Sequence, residues 1–342
     1  MVPAAALLAG ALALLSLARV ATAFERPLAA SVAQSSAITH VTDEVGRQVS
    51  VPAQVNRVVT LSPDLTETIY ALGLEDKLAG DTNYCDTPPA AKLKPHIGTA
   101  QNPSLEAIVA LRPDLILAST SINRRETVDE LARLGLAVYA TNPHTVRGVL
   151  ASIENVATVM GAATQGHGLV VGLRARLEAL HMRLNDLPLA HVFFVVWQDP
   201  LITIGQNTFI ADALKWAGAE SVIIADQNWP QISFEEVVRV QPDYIVFTSN
   251  HSGDTGKLLS ELRSRPDWKG LHAVELGHIV NVSDEIARPS AGLVNAIEEL
   301  AHDLHPEAFS GPGARYAPGL QKSTPEFAVT AVCGEEHAAC AR

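Results

Sequence analysis

Residues 104–120 read SLEAIVALRPDLILAST, and residues 233–249 read SFEEVVRVQPDYIVFTS. Each copy opens on a serine suited to cap a helix, sets an acid at the second helical position and spaces its apolar residues for a short amphipathic helix. Each then turns at a Pro-Asp pair and closes on an apolar run of strand length. The likeness extends upstream. LTETIYALGLEDKLAGDTNY precedes the first copy and TFIADALKWAGAESVIIADQNW the second, each giving a helix that ends at glycine, a short strand and a polar-aromatic loop. A chain written this way has to build two similar α/β units. The repeat is far longer than the roughly 20–50 residues of a solenoid, so stacked short repeats are excluded.

The 342 residues are 47% hydrophobic and 18% charged, enough apolar material for two cores. The formal net charge of −12 opposes binding to nucleic acid, and no dense Lys/Arg stripe offsets it. Residues 4–18, AAALLAGALALLSLA, form an apolar run shorter than the roughly 20 residues of a membrane span. The small-residue ATA at 21–23 follows it, so residues 1–23 are expected to be a secretory signal peptide, although Arg19 is the first cation. With no cysteine near that cleavage site, a lipid anchor has no acceptor thiol. The three cysteines, Cys85, Cys333 and Cys340, make neither a disulfide framework nor a zinc-ligand spacing. Cys333 and Cys340 are placed to close a small loop, which leaves Cys85 as the odd thiol.

The alternation of strands and helices predicts an α/β fold: two similar Rossmann-like lobes with parallel sheets, and a ligand cleft between them. The expected segmentation is a linker over 24–40, an N-terminal lobe over 41–144, a bridging helical region over 145–188, a C-terminal lobe over 189–307 and a tail over 308–342. VTDEVGRQVSVP reads as a hairpin, and RVVTLSP as a strand followed by a helix capped by Ser62 with Pro63 in its first turn. In the bridge, Gly161, Gly166 and Gly168 are expected to break or kink the helix. KLAGDTNY, HVFFVVW, SVIIAD and HIVNVS are the remaining strand expectations.

Four motifs in this order resemble the substrate-binding proteins of ABC importers, in the class whose lobes are joined by a single long helix. They are DEVGRQVSVPAQVNRVVTLSPDLTETIYALG at 43–73, NYCDTPP at 83–89, NPSLEAIVALRPDLILAS at 102–119 and NWPQISFEEVVRVQPDYIVF at 228–247. The class handles cobalamin, ferric siderophores, haem and, in a related branch, metal ions. NYCDTPP and NWPQISFE are most similar to the corresponding segments of its cobalamin-binding members. The resemblance implies a monomeric extracytoplasmic receptor, not an enzyme, with a corrinoid as transported ligand and no cofactor of its own. It further implies that Tyr84, Trp197 and Trp229 line the cleft, and that Glu106 and Glu235 pair with arginines of a two-fold permease dimer. Ala100 and Ser119 stand where cobalamin-binding relatives carry further tryptophans, which keeps a haem or ferric siderophore ligand in view.

The residues also admit plainer readings. Glu106 and Glu235 each gain from the helix dipole in a first turn, and Ser233 with Glu236 spells a capping box. Trp197 after FFVV suits core packing. Cys85 is either a metal-chelate ligand or a passive buried thiol, and Arg288 either meets a polar ligand group or pairs with Asp284. The scattered histidines do not compose a bare-metal site. An exported hydrolase on the same lobes is the rival of another class. Against it, there is no GxSxG elbow, HExxH motif or phosphate loop.

Overall fold

The computed structural model describes residues 37–248 and 254–310. The expected signal peptide, nearly all of the linker and the tail cysteines lie outside the described residues. The chain opens with an antiparallel hairpin, β1 (Ile38–Thr42) and β2 (Gln48–Pro52). Its turn is organised by Asp43, which accepts from the Arg47 backbone N–H at 2.7 Å and pairs with the Arg47 guanidinium.

The N-terminal lobe follows as β3 (Val58–Thr60), α1 (Pro63–Ala71), β4 (Leu78–Gly80), α2 (Leu105–Leu111), β5 (Leu115–Ser119), α3 (Arg125–Arg133) and β6 (Val138–Thr141). Two helices come next, α4 (Val146–Val159) and α5 (Ala163–Leu184). The C-terminal lobe contains β7 (Ala190–Val195), β8 (Trp197–Gln198), β9 (Leu201–Ile202), α6 (Phe209–Trp216), β10 (Ala219–Ser221), α7 (Phe234–Val240), β11 (Tyr244–Thr248), α8 (Thr255–Ser264), α9 (His272–Leu276), β12 (Ile279–Val282) and α10 (Leu293–Leu304).

Each lobe has a four-stranded parallel sheet, in the orders β4-β3-β5-β6 and β10-β7-β11-β12. Numbered within its own lobe, each sheet runs second, first, third, fourth, so the repeated sequence is a repeated topology. The small β8–β9 hairpin in the second lobe breaks the likeness.

Alternation along the strands sorts the side chains into three cores. Val58, Leu115 and Leu117 of one lobe join Val192, Phe194, Val246 and Val280 of the other, together with α4, α5 and α10, in one central core. The opposite faces pack outward: Val59, Ile116 and Ala118 in the first lobe, Phe193, Val195, Ile245 and Phe247 in the second. Strands covered on both faces account for the unbroken apolar runs in the sequence.

The bridging region holds two helices, of which the long α5 leads into the second lobe. Only Gly161 interrupts the region, with φ +74 between α4 and α5. Gly166 and Gly168 continue inside α5, whose 22 residues carry the chain toward β7. Gly166 is the contact point of the pair, since a Cβ there would stand 2.3 Å from the Ala157 Cβ. Two further expectations need correction. The strand foreseen at SVIIAD sits earlier, at Ala219–Ser221, because these residues pair with Ala190–Val192 directly after the left-handed Gly218. Ser62 begins α1 but makes no side-chain cap hydrogen bond.

Candidate functional site

Between the first and third strands of each sheet the order of connection reverses, and open α/β sheets bind ligands at the carboxyl ends of the strands there. In the first lobe this point is formed by Leu61–Asp64, after β3, and by Ser119–Asn123, from the last residue of β5 onward. In the second it includes the residues after β7, where Trp197 stands.

Three aromatic side chains are exposed at these edges, Tyr84 at 56% and Trp229 at 43% on loops and Trp197 at 56% in the short β8. Trp197 is therefore not a core residue. Its indole N–H donates to the Asp199 carbonyl at 2.7 Å, which fixes the ring's tilt. Trp229 lies on a loop zipped to the chain after Trp197. The N–H of Thr203 donates to Pro230 O at 3.1 Å, that of Gly205 to Asn228 O at 2.9 Å, and that of Ile232 to Leu201 O at 3.0 Å. Gly205 is required for this approach, because a Cβ there would stand 1.8 Å from Gln227 O. The two tryptophans thus share one preorganised platform, and preorganised aromatic surface binds without a large ordering cost.

On the facing lobe, the Tyr84 loop is held from beneath by Cys85. The thiol is buried, and its Sγ lies 3.1 Å from the Thr66 hydroxyl, which donates to it, and 3.2 Å from that of Thr82. Burial raises its pKa, so it stays a protonated anchor. Its burial beneath Thr66 and Thr82 favours the reading of Cys85 as a passive buried thiol. Ala100 and Ser119 are buried too, so these two positions add no large side chain to the lining. Asn123 spans that region, donating from Nδ2 to Leu61 O and Ala100 O at 2.7 and 2.9 Å.

Arg288 meets a partner the sequence did not suggest. Its Nη1 donates to Glu67 Oε1 of the opposite lobe, and the Ser290 hydroxyl donates to Glu67 Oε2 at 2.7 Å. Its Nη2 lies 3.8 Å from Asp86 Oδ1, and Asp284 contributes its field. Desolvation raises the Glu67 pKa, with the Arg288 charge and the Ser290 hydroxyl opposing. Beside it, Asp64 is 5% exposed and its Oδ2 has no hydrogen-bond partner. Desolvation first, and the Glu67 charge after it, push that carboxyl from the ordinary 3.8 up to about 6. The nearby Ser62 and Ser119 hydroxyls oppose the shift, although Ser62 Oγ makes no hydrogen bond of good geometry. Neither Glu67 nor Asp64 carries a local sequence signal. Each lies on the first turns of α1, where six consecutive residues, Asp64 to Ile69, are buried.

Glu106 and Glu235 are both exposed, each the second residue of a seven-residue helix. Ser104 Oγ accepts from the Ala107 N–H at 3.2 Å and Ser233 Oγ from the Glu236 N–H at 3.4 Å. Both helices end in a left-handed residue, Arg112 and Gln241. The first-turn backbone N–H and the Ser233 hydroxyl hold the Glu235 carboxyl below its usual range. The capping box is half formed, because Glu236 turns to Arg239 at 2.6 Å instead of back to Ser233.

This arrangement agrees with what the chain is similar to. Residues 58–285 match the family model described as periplasmic binding protein. A curated relative from Vibrio campbellii, named vitamin B12-binding protein, is 29% identical over 252 residues, covering 73% of this chain and 88% of its own. The crystal structure of the periplasmic vitamin B12 binding protein of Vibrio cholerae superposes with a TM-score of 0.65 at 24% identity, covering 75% of this chain and 99% of that one. A periplasmic haem-binding protein from Pseudomonas aeruginosa gives 0.66 at 21% identity, covering 74% and 93%. From the repeated lobes to the edge-strand loops, the architecture is that of a solute receptor, and the chain belongs to the periplasmic binding protein family.

Proposed function

We propose that this protein captures a corrinoid between its lobes, outside the cytoplasm after export, and delivers it to an ABC import permease. The observation that carries the ligand is the aromatic set, Trp197 and Trp229 on one stiff platform and Tyr84 on the opposite lobe, all exposed at the carboxyl edges. Flat faces of this kind suit a planar macrocycle, and the vitamin B12-binding names of the curated relatives point to cobalamin. The small, buried Ala100 and Ser119 thin the aromatic lining of the first lobe and favour haem or a ferric siderophore as the second reading.

Closure around the ligand is a small motion. The central core draws on both sheets, and Asp212 of the second lobe accepts from the Val146 N–H at the start of α4 at 2.8 Å. Rearranging that much packed surface is costly, so the cleft adjusts rather than gapes. For delivery, Glu106 and Glu235 present the same acid on the same helix end of each lobe. A two-fold permease dimer offers the same arginine pocket twice. The protein acts as a monomer in this scheme.

Titration of the purified protein with cyanocobalamin, haemin and a ferric siderophore, read by tryptophan quenching and thermal shift, tests the ligand. Saturable binding of cyanocobalamin is expected, and no response to any corrinoid overturns the assignment. The double variant Glu106→Ala/Glu235→Ala is expected to lose transport while keeping ligand affinity. A loss of affinity would place these acids in the cleft instead.

A further inference from the structure

A charged pair buried between two lobes brings little net stability, because desolvation offsets most of the attraction. What it does bring is a fixed geometry. Glu67 is 9% exposed, and both of its oxygens are taken by the other lobe, Oε1 by Arg288 and Oε2 by Ser290. The segment that supplies them is stiff. Arg288 N–H donates to Glu285 O at 3.1 Å and Ser290 N–H to Arg288 O at 2.8 Å, while Pro289 lines one small cavity with Leu65 and Thr68 of the first lobe. The second arm of the Arg288 fork points to Asp86, two residues beyond Tyr84 on the loop that carries the first lobe's exposed ring. The guanidinium therefore stands between a buried acid on α1 and an exposed acid on the aromatic loop. A planar fork holds two acids in a fixed relative geometry, whereas an ammonium is a point charge with freely rotating donors.

We propose that Glu67 is a positioning residue for ligand capture. It holds Arg288, and through Arg288 the Asp86 end of the Tyr84 loop, in a cross-lobe strap that sets the distance between Tyr84 and the tryptophan platform. The proposal rests on the reading that the ligand lies against these rings. Arg288 serves in it as the link and not as a free ligand contact.

The test uses Glu67→Gln, Arg288→Lys, Asp86→Asn and the double variant Glu67→Gln/Asp86→Asn in the full chain. In ligand-free protein, hydrogen exchange at the Asn83 and Cys85 amides, which donate to Gly98 O and Thr82 O, reads the loop directly. Glu67→Gln and Arg288→Lys are expected to speed this exchange about tenfold, the effect of losing one charged hydrogen bond, with β7 and β11 unchanged. Cyanocobalamin binding is expected to weaken in each single variant, and the double is expected to be no weaker than the more affected single. Unchanged loop exchange in Glu67→Gln, or additive losses in the double, overturns the strap. If the wild-type protein binds no cyanocobalamin, the ligand assignment fails, while the exchange measurement still decides the strap. Should Glu67→Gln not fold, Asp86→Asn at its exposed position carries the exchange test alone, with unaltered exchange as the refuting result.

Discussion

Asp64 offers a sharp test of how the first lobe is built. Its carboxyl is moved by burial from 3.8 to about 6, which corresponds to about 3 kcal/mol lost from stability when the group is fully ionised. Because the folded-state value lies above the unfolded one, the fold holds the proton more tightly. The stability linked to Asp64 is complete below the unfolded value of 3.8 and is lost as pH rises through about 6. Between pH 5 and pH 8 the loss is on the order of 1 kcal/mol by linkage. Asp64→Asn removes the titration and keeps the shape. The amide carries its own cost, since the orphaned Oδ2 position gains no partner, but that cost is the same at both pH values. Asp81, pushed to about 6 by its own burial and opposed by His96, remains in both proteins and cancels. Urea unfolding of the two proteins at pH 5 and pH 8 is the assay. The variant is expected to be more favourable relative to wild type at pH 8 than at pH 5, by on the order of 1 kcal/mol. An equal difference at the two pH values, or one of opposite sign, refutes the view that Asp64 ionises inside a dry site.

Two glycines two residues apart in α5 are expected to respond in opposite senses. Gly168 faces open space, so Gly168→Ala gains about 0.5–1 kcal/mol of helix propensity. Gly166→Ala meets the buried Ala157 and loses about 1–2 kcal/mol net, both read by denaturant midpoint. Ser104→Ala and Ser233→Ala, which remove the caps of the twin helices, each cost about 0.5–1 kcal/mol in the same assay. Trp197→Ala or Trp229→Ala is expected to weaken cyanocobalamin about tenfold or more, as loss of an aromatic anchor does, with little change in Tm because both rings are exposed.

The parts of the molecule legible in the sequence are those decided within a few neighbouring residues. Ser104 and Ser233, the Pro-Asp turns and the apolar runs after them are local signals, so the twin helices, their strands and the parallel sheets all follow from reading the line twice. The bridge shows where locality ends. Gly161, Gly166 and Gly168 are the same letter, yet one breaks the helix, one admits a neighbouring helix and one does neither. The difference lies in what packs against each. The same holds for β10, which forms at Ala219–Ser221 because the edge of β7 is there, while the more apolar Val222-Ile223-Ile224 leaves the ladder after the Val222 N–H donates to Val192 O, with Ile223 buried and Ile224 82% exposed. In the site, aromatic residues in polar loops were visible as candidates. The partner of Arg288 was not, since Glu67 is 221 residues away. Cys85 was ambiguous for a related reason, as its burial depends on Thr66 and Thr82 closing over it.

The central core has a consequence for how this protein comes apart. The sequence duplicates a lobe, but Val58, Leu115 and Leu117 are covered by the same packed interior as Phe194 and Val246. Neither copy keeps that shared interior whole when the other is absent. Cut between them, the halves would each expose part of that interior to water. The doubled message therefore specifies one cooperative unit, whose two halves melt together in a single transition or not at all.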